Sequence, residues 1–305
     1  MDYTNQSNPT NLILSNNRIM RTKDHQSDQY DSKSNFASLK PLFTSMVATV
    51  KTESPSLYWI VVAHFAFALV CIPGLLFDDR LLMGINVWVK PFKFLISTGI
   101  YLMTFGYFTS LYPFSKRKKK IFNTIVAWTL LVETVIIVGQ GIRGVQSHYN
   151  MNSPMDGILF AMMGILIGVN VFIMVFYLIE TIRLKMNTTK SVQWAIFLGW
   201  IILIIGSWVG GQMISQMSHN VGIVDGGEGL PLVNWSTIAG DLRVAHFFGI
   251  HGMQIIPLFA FWLSKKWKAS SRNQVIAVTI FGLSYAAWLG FTFYQAKQGM
   301  ALINL

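Results

Sequence analysis

The segment that decides the fold is residues 240–257, GDLRVAHFFGIHGMQIIP, which opens an apolar run that continues to Leu263. The whole run is about the length that crosses a bilayer as a helix. Its first half nevertheless carries four polar side chains, Arg243, His246, His251 and Gln254. At about 100° per residue, all four fall on one side of the helix. Because polar groups inside a membrane are costly, this side is expected to face the protein interior, and it marks a candidate site.

The composition excludes an ordinary soluble protein. The chain has 305 residues, of which 52% are hydrophobic and 12% are charged, which is too apolar for a soluble domain. Its net charge of +11 does not indicate nucleic-acid binding, because the basic residues lie in short clusters between apolar spans, where they set membrane topology. The expected partner is therefore the lipid bilayer. The single cysteine, Cys71, excludes a disulfide framework and a c-type haem attachment within one chain.

Seven apolar spans predict the fold class, an all-α polytopic integral membrane protein built as a seven-transmembrane helix bundle. In chain order, the predicted spans are residues 57–77, 92–112, 121–144, 158–182, 193–215, 244–263 and 273–293. Within the bundle, two glycine pairs are expected to mediate helix packing, Gly164 with Gly168 and Gly210 with Gly211.

The charges of the connections predict the orientation. Basic residues are concentrated in alternate connections, at positions 116–120, 183–190 and 265–272. The remaining connections carry few cations and more acids. Since basic connections stay in the cytoplasm, the N-terminus is predicted to be cytoplasmic and the C-terminus external. The predicted location is a plasma or inner membrane, which the chain crosses several times.

Four stretches make up the predicted domain organisation. Residues 1–35 are polar and predict a disordered tail. Residues 36–55 predict an amphipathic helix on the membrane surface, or else a linker. The seven-helix transmembrane domain covers residues 56–298, and residues 299–305 form a C-terminal tail. The longest outward connection, 216–240, is rich in glycine and is expected to be either a lid or a loose loop.

Polar stripes on several spans predict that these spans face one another. On spans two and three, the polar residues are Lys90, Lys93, Tyr101, Glu133, Gln140, Arg143 and His148. Most of them lie near the outer ends of their spans, whereas Glu133, His251 and Gln254 lie deeper. This pattern predicts a polar cavity that opens outward and is closed toward the cytoplasm by apolar packing.

Cations outnumber acids in the predicted cavity. The cations are Lys90, Lys93, Arg143 and Arg243. Two arginines suited to bidentate binding, beside two lysines, predict an anionic ligand group such as a carboxylate or a phosphate. The alternatives are that the lysines extend to lipid headgroups and that each arginine pairs with a nearby acid, Asp156 or Asp241. Asp241 is also expected to cap the helix of span six.

Four histidines are expected to reach the bundle interior, His64, His148, His246 and His251. Imidazole ligates metals, carries protons or forms structural hydrogen bonds. A membrane haem b needs histidines on facing helices, and either His64 with His251 or His148 with His246 would supply them. His64 and His251 are therefore candidate metal ligands. The alternative is that each histidine is a hydrogen-bonded core residue.

Three functional hypotheses follow. In the first, the pocket binds an anionic, amphipathic small molecule and the protein is a membrane oxidoreductase with haem b or a quinone as cofactor. The second is a proton-coupled transporter or receptor for a small anion, with Glu133 as the proton-linked group. The third is a scaffold in which the polar residues only specify packing. The oligomeric state is left open.

The first two hypotheses assign roles to the same residues. The catalytic or proton-carrying residues would be Glu133, His148, His246 and His251. The residues that would hold the ligand or cofactor are Lys90, Lys93, Tyr101, Gln140, Arg143, Arg243 and Gln254.

Overall fold

A computed structural model describes residues 40–227 and 229–303 of the chain. They belong to the second of two units into which the chain divides, Leu39–Leu305. The first unit, Met1–Ser38, lies outside the described residues. The predicted tail at residues 1–35, and the start of the predicted amphipathic helix, therefore lie outside them as well.

The described structure is dominated by helices. It is 74% helical and has eight helices within the described ranges. These are α1 (Lys40–Glu53), α2 (Pro55–Phe77), α3 (Val89–Leu111), α4 (Lys116–Ile142), α5 (Pro154–Arg183), α6 (Lys190–Ser215), α7 (Leu242–Lys266) and α8 (Ser271–Lys297). Helices α2 to α8 are long and apolar enough to cross a membrane. The predicted all-α helical bundle is confirmed, and the seven apolar helices indicate a multi-pass membrane protein.

Two short antiparallel hairpins lie in the connections. Strand β1 (Leu81–Leu82) pairs with β2 (Ile85–Asn86) between α2 and α3. Strand β3 (Asn220–Val221) pairs with β4 (Gly240–Asp241) between α6 and α7. The second hairpin fixes both ends of the longest connection.

Polar side chains determine where five of the helices begin. The residue before each of α4 to α8 accepts a hydrogen bond from a backbone N–H of the first turn; these caps are Ser115, Ser153, Thr189, Asp241 and Ser270. Such caps satisfy N–H groups that have no partner within the helix. The predicted capping role of Asp241 is confirmed. Helix α4 begins at Lys116, five residues before the predicted span at 121, because its first turn is basic rather than apolar.

Helices α6 and α7 form the most extensive helix pair of the bundle. Two glycines allow this close approach, since a Cβ atom added to Gly206 would lie 2.6 Å from the Cα of Gly249. Cβ atoms added to Gly164, Gly168 or Gly211 would meet nothing within 4 Å. The packing role predicted for those three glycines is therefore wrong within this chain.

The bundle has two chemically different ends. The long-loop end is where α2, α4, α6 and α8 end, and it carries the connections 78–88, 143–153 and 216–241. The basic end carries the short connections 112–115, 184–189 and 267–270. Lysines lie next to these short connections, in the first turn of α4 and the last turn of α7.

Helix α1 covers most of the predicted amphipathic segment and packs against α2 and α3. Leu42 and Val50 are buried, whereas Phe43 is exposed. Lys119, in the first turn of α4, forms a 3.2 Å ion pair with Glu53 at the end of α1. One face of α1 thus belongs to the helical core, and its location on a membrane surface stays a prediction.

Near the basic end, hydroxyl and aromatic side chains join α3, α5 and α6. The five members, termed the tyrosine network, are Thr109, Tyr112, Tyr177, Thr181 and Trp200, all buried. Thr109 Oγ1 lies 2.9 Å from the Tyr177 hydroxyl, and Trp200 Nε1 donates to the Tyr112 hydroxyl at 3.1 Å. Thr181 hydrogen-bonds that same Tyr112 hydroxyl. Every side-chain polar atom of the network has a partner.

Candidate functional site

Basic side chains from two helices and two connections meet at the long-loop end. Lys90 and Lys93 lie in the first turns of α3, and Lys90 Nζ is 3.3 Å from Nδ1 of His148. The charges of Arg243, Lys93, Asp225 and Glu133 act on Lys90, and those of Lys90, His219 and His246 act on His148. The group Lys90, Lys93, His148, His219, Arg243 and His246 is termed the cationic cluster.

Lys90 and Lys93 lack acidic partners. Both are part-buried, and neither forms a salt bridge with a carboxylate anywhere in residues 40–227 or 229–303. The charge of Arg243 acts on both lysines. The charges of Asp225 and Glu133 also act on Lys90, and that of Asp241 acts on Lys93, but none of these acids contacts a lysine. Because a part-buried cation without a counter-ion in contact carries a desolvation cost, an anion that contacts the two ammonium groups would stabilise them.

Arg243 is held in place by Asp241, the cap of α7. The Asp241 carboxylate accepts from Arg243 Nε at 3.0 and 3.1 Å, from Nη2 at 2.6 Å and from the backbone N–H of Arg243 at 2.9 Å. Its side chain is 1% exposed and that of Arg243 is 25% exposed. The ion pair between Arg243 and Asp241, predicted as the alternative to ligand binding, is therefore present. It fixes the position of the guanidinium group within the cluster.

The connection between α6 and α7 covers two of the cations. Lys93 Nζ donates to the carbonyl oxygen of Val233 at 3.1 Å. Arg243 Nη2 donates to the next carbonyl oxygen, that of Asn234. The described part of this connection is therefore not a loose loop, since it contacts the cluster directly and is closed by the β3–β4 hairpin.

A histidine–aspartate pair in the same connection belongs to the cluster but was not predicted as a site. His219 Nδ1 lies 2.6 Å from Asp225 Oδ2, and the carboxylate also accepts from the backbone N–H groups of His219 and Asn220. Burial raises the pKa of Asp225, but the hydrogen bonds from His219 outweigh it and hold the pKa well below its usual range. Burial also lowers the pKa of His219. Both residues lie outside the periodic spans, so helical spacing could not reveal them.

The two remaining histidines of the cluster are fixed by hydrogen bonds. Nδ1 of His148 lies 3.0 Å from the Ser147 hydroxyl as well as near Lys90. Burial, reinforced by the charge of Lys90, lowers the pKa of His148 well below its usual value, so the ring is neutral and its Nδ1 can accept a hydrogen bond from the ammonium group. His246 Nδ1 lies 2.8 Å from the Gly206 carbonyl oxygen, which seats the ring against α6.

Glu133 lies beneath the cluster, nine residues before the end of α4, or about 13 Å along the helix axis. It is 8% exposed, and its Oε2 atom has no partner among the described residues. The charge of Lys90 acts on it. The Tyr101 hydroxyl is likewise buried without a described partner. A buried carboxylate oxygen without a partner is rare.

Gln140 and Arg143 form a separate group with Asp156. Arg143 Nη1 lies 2.7 Å from Asp156 Oδ1, and Gln140 Nε2 donates to the same oxygen at 2.8 Å. The Arg143 side chain is 44% exposed. The alternative predicted for Arg143, an ion pair with Asp156, is therefore present.

The candidate metal ligands His64 and His251 lie elsewhere. His64 is buried, with Nδ1 2.7 Å from the Ile60 carbonyl oxygen and Nε2 3.3 Å from the Thr134 hydroxyl. His251 packs its ring against Phe247, with 4.5 Å between the ring centroids. Within the described residues, no group of three or more His, Cys, Asp or Glu side chains could hold a metal ion.

A cavity of about 540 Å³ opens at the long-loop end of α8. Its lining consists of Ile238, Phe291, Tyr294, Gln295, Gly299, Met300 and Ala301. None of the residues predicted to bind a ligand lines it.

No protein-family model, no curated protein and no solved structure matches this chain.

Proposed function

We propose that this chain is a multi-pass protein of a plasma or inner membrane, with its basic end and its N-terminus in the cytoplasm. The support is the charge asymmetry of the bundle, whose lysine-rich turns flank the short connections at one end. Basic connections are retained on the cytoplasmic side. The cationic cluster at the long-loop end then faces the outside.

We propose further that the cationic cluster binds a small oxyanion, such as a carboxylate or a phosphate. The observation that carries this proposal is that Lys90 and Lys93 lie part-buried beside Arg243 without a carboxylate partner in the described residues. Hydrogen bonds from ammonium and guanidinium groups to anions are about twice as strong as neutral ones. A bound anion would offset both the repulsion among the cations and their desolvation.

Glu133 links anion binding to a proton in this proposal. The positive charge of Lys90 favours the ionised carboxylate. An anion bound beside Lys90 cancels that effect and repels the carboxylate, so Glu133 takes up a proton as the anion binds. The coupling is reciprocal, because the proton strengthens anion binding by the same factor. A transporter with this coupling moves the anion and the proton together, and a receptor shows only the coupled binding.

The state of the histidines supports the anion hypothesis over the redox hypothesis. Both ring nitrogens of His64 are hydrogen-bonded within the helices, so ligation of haem iron by His64 would require one of these bonds to break. Nδ1 of His246 lies beside the Gly206 carbonyl oxygen, an arrangement that metal-ligating histidines also show, so His246 does not distinguish the two hypotheses. The assignments of haem b or a quinone as cofactor stay predictions.

The first test measures anion binding to the full-length protein in detergent by titration calorimetry, with inorganic phosphate and succinate as probes. Lys90→Met and Lys93→Met should each weaken binding by about tenfold, which corresponds to about 1.4 kcal/mol, because each removes a charged donor. Lys297→Met is the matched control, since Lys297 is exposed in the last turn of α8 at the same end of the bundle.

Glu133→Gln tests the proton linkage. Titrations in buffers of different ionisation enthalpy should show that the wild type takes up about one proton per bound anion and that the variant takes up none. Proton uptake that persists in the variant contradicts the role of Glu133. If neither phosphate nor succinate binds the wild type, the anion site itself is wrong.

A further inference from the structure

One short segment of the α6–α7 connection lies directly on the cations. Residues 229–235, termed the flap, fold into a compact turn in which the Leu230 N–H donates to the Trp235 carbonyl at 2.9 Å and the Asn234 N–H to the Leu230 carbonyl at 2.7 Å. The Trp235 ring packs against Phe247 and Phe248 of α7, with centroid distances of 5.5 and 6.3 Å. The flap is thus tied to α7 by an aromatic contact at its end.

Two successive backbone oxygens of the flap occupy the positions where the cations donate. Val233 offers its carbonyl oxygen to Lys93 at 3.1 Å, and Asn234 offers its carbonyl oxygen to Arg243. A carbonyl oxygen carries only a partial charge, whereas a carboxylate or phosphate oxygen forms the stronger, charge-assisted bond. The flap therefore contacts the cations with weaker acceptors than an oxyanion supplies.

The flap holds this position in an unfavourable backbone conformation. Leu232 and Asn234 have φ angles of 64° and 54°, in the left-handed region that disfavours side chains other than glycine and, to a lesser extent, asparagine. Asn234 is only 7% exposed, and the Oδ1 atom of its side chain has no partner among the described residues. Strained backbone and an unpartnered buried amide oxygen both favour release of the segment.

We propose that the ligand of the cationic cluster is an oxyanion with at least two oxygens, which displaces the flap and takes over the donors of Lys93 and Arg243 from the Val233 and Asn234 carbonyls. This inference rests on the proposed anion site and specifies its ligand and its control. The flap and the anion compete for the same N–H groups, so any change that weakens the closed flap strengthens anion binding. A monatomic anion such as chloride cannot replace two separate carbonyl oxygens and leaves the flap closed.

Trp235→Ala tests the competition in the full-length protein. The loss of the ring contact with α7 weakens the closed flap, so phosphate should bind about fivefold or more tightly than to the wild type. Trp288→Ala is the matched control, because Trp288 also contacts Phe248, at 5.6 Å, but lies on α8 outside the flap. Phosphate affinity that is unchanged or weaker in Trp235→Ala, while Trp288→Ala behaves as the wild type, overturns the proposal.

Hydrogen exchange on the wild type gives a second readout that needs no variant. Saturating phosphate or succinate should accelerate exchange of the Leu230 and Asn234 amides, whereas the Ser236 amide, bound to Asp241, should stay protected. Chloride should change none of them. Short-chain phosphatidylglycerol serves as a further probe. If a lipid headgroup displaces the flap as free phosphate does, this lipid accelerates hydrogen exchange of the same two amides.

The outcomes separate the two proposals. If phosphate or succinate binds while the Leu230 and Asn234 amides exchange no faster, the flap does not compete and only this inference fails. If neither anion binds the wild type, the anion site fails, and the flap proposal fails with it.

Discussion

The tyrosine network and the cationic cluster lie near opposite ends of the bundle and differ in how completely their polar side chains are partnered. In the tyrosine network near the basic end, hydroxyl and indole groups from α3, α5 and α6 are buried and all of them have partners. In the cationic cluster at the long-loop end, two lysines lack acidic partners in the described structure, and an oxygen of Glu133 beneath them has no partner. The polar atoms of the tyrosine network need no further partner, whereas a bound anion would stabilise the lysines of the cationic cluster.

This difference indicates that the tyrosine network stabilises the fold and that the cationic cluster serves function. A fully satisfied buried network makes a packed core rigid and specific. Unsatisfied buried groups destabilise a fold, so a native protein that keeps them has a use for them, most often at a binding site. Mutations in the tyrosine network should therefore lower the free energy of unfolding more than mutations in the cationic cluster.

The largest expected effect is on stability, from Trp200→Ala in the tyrosine network. Trp200 is fully buried and contacts Phe105 and Tyr177, so its removal leaves a cavity and should lower the free energy of unfolding by about 4 kcal/mol. Denaturation by SDS in mixed micelles measures this change. Trp128→Ala is the control, because Trp128 is 54% exposed and its removal creates no cavity. Equal stability of the two variants would show that the network is not a core.

An intermediate effect is expected for Asp241→Asn at the long-loop end. The substitution leaves the three-quarters-buried Arg243 without its carboxylate and should lower the free energy of unfolding by about 2 to 3 kcal/mol. Asp78→Asn is the matched control, since its partner Arg80 is half exposed and exposed ion pairs contribute little. The same denaturation experiment compares them, and an equal loss for both variants would contradict the importance of burial.

The seven helices could be predicted from the sequence, because span length and basic connections are local properties. Part of the cluster could also be predicted. Lys90, Lys93 and Arg243 lie on polar faces and near the ends of their spans, and these two properties locate a residue by angle and depth. The angle does not say which helix is the neighbour, so the same two properties place Arg143 in the cavity with Arg243, whereas in the structure it forms the alternative pair with Asp156.

The remaining parts of the site depend on contacts that leave no periodic signal. The carbonyl oxygens of Val233 and Asn234 belong to the backbone, which any residue supplies. His219 and Asp225 meet within a connection, where spacing has no fixed meaning. Gly206 and Gly249 contact each other from different helices, whereas the predicted pair Gly164 and Gly168 has no neighbour within 4 Å and, of the predicted pair Gly210 and Gly211, only Gly210 has one, His246.

The smallest expected effect is a pH dependence confined to the long-loop end. Burial lowers the pKa of His148 and His219 from their ordinary value, so below about pH 6.5 the unfolded chain binds protons that the folded chain does not. The lowered pKa of Asp225 acts in the same direction at lower pH, since its stabilisation is present above the ordinary carboxyl pKa and is lost as pH falls through the folded value. Acidification should therefore weaken this end, and the loss begins near pH 6.5.

A change from about pH 7.5 to about pH 5 should lower the free energy of unfolding by about 1 kcal/mol. After correction for the intrinsic pH dependence of exchange, it should also accelerate amide exchange in residues 216–225. The tyrosine network contains no histidine or carboxylate, so the amides around Tyr177 should respond much less. His148→Gln removes one titrating group and should reduce the acid-induced loss. If His148→Gln keeps the full pH dependence, or both ends respond equally, titration at the long-loop end does not cause it.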